Sequence, residues 1–180
     1  LYNVVDTMIV GRFVGVDALA AVGSTGSLNF LIIGFVLGLA AGFGIPIAQA
    51  FGAREEKRML QTIMNAFYLC IFFSIVLTVL THFTTETLLQ WMQTPANIFK
   101  QSYDYISIIF YGLTCTIAYN FLASVSRALG DSKTPLIFLI ISSVLNVVLD
   151  LSMIINFHMG VRGAALATVI AQGISAVLCF

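Results

Sequence analysis

The chain has 180 residues, 59% of them hydrophobic and 9% charged, with 8 basic and 8 acidic side chains that leave no net charge. Soluble domains carry about 25% charged residues, so this composition, with a mean hydropathy of +1.01, excludes one and describes an integral membrane protein. A neutral total gives no sign of a nucleic-acid partner; the partner that composition implies is the lipid bilayer.

Residues 1–14, LYNVVDTMIVGRFV, read as the second half of a span ending near Arg12, with Tyr2 and Asp6 on one face at i, i+4. Leu1 is not a start methionine, and the closing run AVLCF is apolar, so the expectation is a fragment truncated at both ends. Gly11, Gly15 and Asp17 mark a turn into ALAAVGSTG. The second span, about 28–51, repeats glycine every four residues at Gly34, Gly38 and Gly42. Small residues at that spacing let helices approach closely, so the stripe reads as a packing face, with a hinge near Gly44 and Pro46 as the alternative. The run GAREEKRML at 52–60 is too polar for the bilayer and reads as a solvated loop.

A third span covers about 63–81, followed by a polar stretch with His82, Glu86 and Trp91, the last suited to an interfacial belt. Pro95 precedes a fourth span, about 98–129, carrying Tyr103, Tyr105, Tyr111, Tyr119 and Asn120. GDSKTP at 130–135 is a tight polar turn, and PLIFLIISSVLNVVLDLSMIINF at 135–157 is the fifth span. About 20 apolar residues at 1.5 Å rise cross a hydrocarbon core of roughly 30 Å, so this run is long enough. Asn146 and Asp150 lie on one face of it, with Ser142 a further turn back. Gly160 and Gly163 separate it from the sixth span, about 164–180. Cys70, Cys115 and Cys179 sit inside apolar spans without metal-ligand spacing, so neither a disulfide framework nor a zinc site is expected.

The fold class is therefore an all-α polytopic membrane bundle of six helices, the first incomplete. Positive residues set its orientation. The 52–61 loop holds Arg54, Lys57 and Arg58 and the 127–135 loop holds Arg127 and Lys133, against Arg12, Lys100 and Arg162 on the other side. That bias places the 52–61 and 127–135 loops in the cytoplasm.

Depth can then be counted from the outer face. Asp6, Asp150 and Thr168 each fall about 10–12 Å inward at 1.5 Å per residue, with Tyr105 at a similar level and Asn146 one turn deeper. A lone carboxylate in hydrocarbon costs at least about 2.5 kcal/mol, so an acid inside a span marks a site and needs partners. These five side chains, from four helices, are the candidates.

The runs YNFLASVSRALGDSKTPL (119–136), N-x-x-x-D (146–150), GVRGAALATVIAQ (160–172), VDTMIVGRFVG (5–15) and PIAQAFGAREEKRM (46–59) together resemble the multidrug and toxic compound extrusion (MATE) family. The likeness covers the whole chain and is to the amino-terminal lobe, six of the family's twelve helices, so 1–180 is expected to be that lobe with the second absent. It implies a secondary antiporter of a bacterial cytoplasmic membrane, not an enzyme and without a cofactor, that exports small organic, often cationic, compounds in exchange for H+ or Na+. Carried over by residue, the cation site would use Asp6, Asn146 and Asp150, with Thr168 and Tyr105 lining it and Tyr2 and Asn120 as weaker cavity residues. A Na+ ion would sit among Asp6, Asn146, Asp150 and Thr168. H+ is the favoured coupling ion, because two nearby carboxylates in a dry pocket cannot both stay ionised cheaply. The pairing of both acids in this lobe resembles the DinF-type branch. Many relatives have proline after Gly112–Leu113, where this chain has Thr114, which removes the residue that would enforce a kink in span four.

Three other functions fit the composition. A flippase or exporter of lipid-linked saccharides shares the superfold. A channel lacks support, since no ring of repeated carboxylates or filter-like loop is present. An intramembrane protease could use two acids, but no second signature accompanies them.

Overall fold

Apolar runs separated by glycine, proline and short polar turns become helices in the computed structural model, which describes residues 2–180 apart from the side chains of Tyr2, Asn3 and Val5. The side chain of Tyr2, a cavity residue expected from sequence, thus lies outside what is described. The helices are α1 (Tyr2–Phe13), α2 (Val16–Ser24), α3 (Gly26–Gly52), α4 (Glu56–Trp91), α5 (Ala96–Tyr111), α6 (Leu113–Ala128), α7 (Lys133–Leu151) and α8 (Val161–Cys179). A π-helical segment, Ser152–Asn156, continues α7. The spans α3, α4, α7 with its π segment, and α8 are each long and apolar enough to cross a membrane, and α5 with α6 forms a fifth, bent span.

α8 is the centre of the bundle. Half of its apolar window is buried, against 22% or less for the other long spans. The cause is composition: Ala164, Ala165, Ala167, Ala171 and Ala176 present almost no side chain, so α5, α6 and α7 close around it.

Several elements depart from the sequence expectation. ALAAVGSTG, assigned to no span from sequence, supplies most of α2, whose Ala18, Ala21 and Val22 pack toward α5 while Ser102 donates to the Ala21 carbonyl at 3.3 Å. Gly15, at φ 127, makes the turn that admits it, a conformation other residues rarely adopt. α4 runs ten residues past the expected end at Thr81. Thr81 and Thr84 return their hydroxyls to the carbonyls of Leu77 and Leu80 at 2.7 and 2.8 Å, so the polar stretch stays helical. Gly163 lies inside α8 rather than before it.

Within this lobe the glycine stripe is not a helix-packing face. A Cβ added at Gly34, Gly38 or Gly42 meets no described atom within 4 Å, whereas one at Gly44 falls 2.5 Å from Ser124 Oγ. Two residues turn a helix by about 200°, so the face of α3 that packs on α6 is the opposite one, through Val36, Ala40, Gly44 and Ile47. Ser124 donates to the Ala40 carbonyl at 2.7 Å on that face.

The GDSKTP turn has a structural role. Gly130 takes φ 92, and Asp131 Oδ1 accepts the amides of Lys133 and Thr134 at 3.1 and 3.0 Å, capping α7. The Thr134 hydroxyl and amide hold the Asp131 carboxyl below the usual carboxylate range. Glu55 and Ser132 are exposed in the α3–α4 and α6–α7 connections. Single cysteines at these two positions, in an otherwise cysteine-free full-length protein, are expected to react only from the cytoplasmic side. Labelling of either by an impermeant reagent outside intact cells would overturn the orientation.

Candidate ion-coupling site

α7 carries Ser142, Asn146 and Asp150 at intervals of one turn, and all three are buried. Each faces inward because the opposite side of α7, with Ile137, Ile141, Val144 and Val148, is the apolar and exposed one. Across from this stripe α8 brings Thr168, α5 brings Tyr105 and α1 brings Asp6, which is 0% exposed within this one lobe. The acid site is thus enclosed by the lobe's own helices.

The hydrogen bonds run one way. Asn146 Nδ2 donates to Thr168 Oγ1 at 3.1 Å, and Thr168 Oγ1 donates to Asp6 Oδ2 at 2.9 Å. Tyr105 Oη donates to the same Asp6 oxygen at 3.0 Å. Asp6 Oδ1, Asn146 Oδ1 and both carboxyl oxygens of Asp150 are buried without a hydrogen-bond partner. Asp150 and Asp6 lie within each other's electrostatic reach. Buried acceptors lacking donors are costly, and two ionised carboxylates in a medium of low dielectric repel strongly. An arrangement with four such oxygens is suited to receive positive charge.

The chemistry of the donors narrows what that charge can be. No group of three or more His, Cys, Asp or Glu side chains that could hold a metal occurs among the described residues. Two carboxylates, an amide oxygen and a hydroxyl form an all-oxygen set, which suits a hard cation or a proton and not a soft metal.

Five side chains expected from sequence, Asp6, Tyr105, Asn146, Asp150 and Thr168, are therefore brought together. Asn120 is not. It is half-buried on α6, and its amide donates to the Thr116 carbonyl at 2.8 Å on its own helix. Thr116 in turn donates its hydroxyl to Gln172 Oε1 of α8, one turn beyond Thr168. Sequence reading missed Thr116 and Gln172, although the spacings Thr116–Asn120 and Thr168–Gln172 both carry the i, i+4 signal. It also missed two clasps between α7 and α8: Ser142 donates to the Ala171 carbonyl at 2.7 Å and Ser175 to the Phe138 carbonyl at 3.1 Å.

The MatE family profile matches residues 1–152, a segment that contains four of the five clustered residues. The chain belongs to the MATE family. It is 37% identical over 173 residues to "Probable multidrug resistance protein YoeA" of Bacillus subtilis, a match covering 94% of this chain and 37% of that protein. It is 27% identical over 175 residues to "DNA damage-inducible protein F" of Escherichia coli, covering 96% and 38%. Among solved structures, an inward-facing multidrug resistance MATE family transporter superposes with a TM-score of 0.94 at 25% identity, over 99% of this chain and 40% of the other. An outward-facing conformation gives 0.92 at 25% identity, over 99% and 39%. This MATE chain thus spans about two fifths of the length of the relatives it matches and forms one lobe of the fold, embedded in a membrane.

Proposed function

We propose that the lobe is the amino-terminal half of an antiporter that exports small organic, often cationic, compounds from a bacterial cytoplasm in exchange for protons. The observation that carries this reading is the buried set of four acceptor oxygens shared between α1 and α7, with Asp6 and Asp150 at its centre. A proton on Asp150 turns an unpartnered acceptor into a donor toward Asp6 and relieves the repulsion between the acids. Thr168, itself held by Asn146, and Tyr105 both donate to Asp6 Oδ2 and orient the carboxyl. The near-equal likeness to inward-facing and outward-facing transporters supports a lobe that keeps its internal fold while the two lobes rock about the cavity between them. The partner this requires is a second lobe of the same protein, which would contribute the rest of the substrate cavity.

The same oxygens favour a second reading, in which Na+ is the coupling ion among Asp6, Asn146, Asp150 and Thr168. Transport by the purified full-length protein in vesicles separates the two. With an imposed pH gradient and no sodium, substrate is expected to move with the gradient. Movement that ignores the pH gradient and follows an inward Na+ gradient would refute proton coupling and establish the sodium reading.

A further inference from the structure

Two hydroxyls from different helices, Tyr105 on α5 and Thr168 on α8, converge on one oxygen of Asp6. That convergence requires α5 and α8 to be fixed in register, and the helices meet at two pins. At the first, Arg162 donates to Asp104 Oδ1 at 2.9 Å. At the second, Gly112 backs onto Val169 so closely that a Cβ would lie 2.2 Å from Val169 Cγ2. Both helices run inward from the same side, and the pins are 7 residues apart on α8 and 8 apart from Asp104 of α5 to Gly112, which closes that helix. Tyr105 follows Asp104 directly and Thr168 precedes Val169 directly, so the two donors lie between the pins.

Arg162 is placed against its own helix. It occupies the first turn of α8, where the positive end of the helix dipole disfavours a cation. Its side chain is 56% exposed and that of Asp104 is 19% exposed, so the pair adds little to stability. What it can supply is register. We propose that Asp104 and Arg162 are positioning residues for the coupling site: their ion pair sets the α5–α8 register that aims Tyr105 and Thr168 at Asp6 Oδ2, and so sets the affinity for the coupling ion. This rests on the reading of Asp6 as a coupling carboxylate. The titratable groups facing Asp6 are Asp150 from α7 and Tyr105 from α5, while α8 offers the neutral Thr168 and Asp17 of α2 is exposed.

The test uses full-length protein carrying Asp104→Ala, Arg162→Gln, or the exchange Asp104→Arg with Arg162→Asp, which also puts an acid where the α8 dipole favours one. Two quantities are read: the coupling-ion concentration for half-maximal transport, and the infrared C=O band of Asp6 in acidified protein, assigned by its loss in Asp6→Asn. Each single variant is expected to move the half-maximal concentration about threefold, the mid-range worth of a part-exposed ion pair, and by more than it moves the maximal rate. Each is also expected to raise the Asp6 band frequency as hydrogen bonds to that carboxyl weaken, and the exchange returns both quantities. Single variants with the parental half-maximal concentration and band, or an exchange that restores neither, overturn the proposal. If instead Asp6→Asn itself transports normally, the coupling reading fails, and the infrared band still reports whether the ion pair aims the donors.

Discussion

Asp6→Asn and Asp150→Asn are each expected to reduce drug efflux by the full-length protein to the level of a host without the pump, while the protein still inserts and folds. Asparagine has nearly the shape of aspartate, and at position 6 its amide oxygen can still accept from Tyr105 and Thr168. What it lacks is a site for a proton and a charge for a cation. At position 150 the new amide donor faces buried oxygens that have no partner, so the folded state gains roughly 1 kcal/mol or more. Each change also removes a carboxylate that costs at least about 2.5 kcal/mol in hydrocarbon, which favours insertion. The signature is therefore a pump that is dead and no less stable. Efflux complementation in a pump-deficient host at matched expression, paired with thermal unfolding in detergent, reads both halves. Parental resistance from either variant would place the coupling site elsewhere.

The positions of those acids were legible because depth in a membrane is arithmetic. A fixed rise per residue and the ends of hydrophobic runs put Asp6, Tyr105, Asp150 and Thr168 at one level before any helix order was known. Lateral contact was not legible. In lipid, a face that meets another helix and a face that meets acyl chains have the same hydropathy. That is why the Gly34–Gly38–Gly42 stripe looked like a packing surface while the close approach of α3 to α6 falls at Gly44. The Asp104–Arg162 pair joins residues 58 apart in the chain, and no local pattern announces it. α2 escaped detection because its nine residues are too few to cross a bilayer, and only runs of spanning length were read as helices. Thr114 misled for a different reason. Proline is one cause of a kink among several, and its absence does not straighten a helix.

The bend in the fourth span falls at Gly112, and replacing that residue is the substitution with the largest expected effect on stability. α5 and α6 meet there at 46°. A Cβ at Gly112 would lie 2.2, 2.8 and 3.0 Å from Val169 Cγ2, Cγ1 and Cβ. Valine in a helix is held to one χ1 rotamer, so Val169 cannot turn aside and the backbones must part. Overpacking of this kind costs about 1–3 kcal/mol, a drop of several degrees in the unfolding midpoint for a chain of this size. Parting α6 from α8 also carries Thr168 away from Asp6, so transport falls together with stability. Gly112→Ala is expected to show both losses, and adding Val169→Ala, which removes the two clashing methyl groups, is expected to recover most of each. Thr114→Pro is the informative contrast. Thr114 is the second residue of α6, where an amide has no helical partner and proline is tolerated. That change forfeits the 2.7 Å hydrogen bond between Thr114 and Ser74, worth about 1 kcal/mol, and leaves the bend in place. Thermal unfolding of the three variants decides the matter: a Gly112→Ala protein as stable as the parent, or a Thr114→Pro protein less stable than Gly112→Ala, would show that the bend does not depend on the missing side chain at 112.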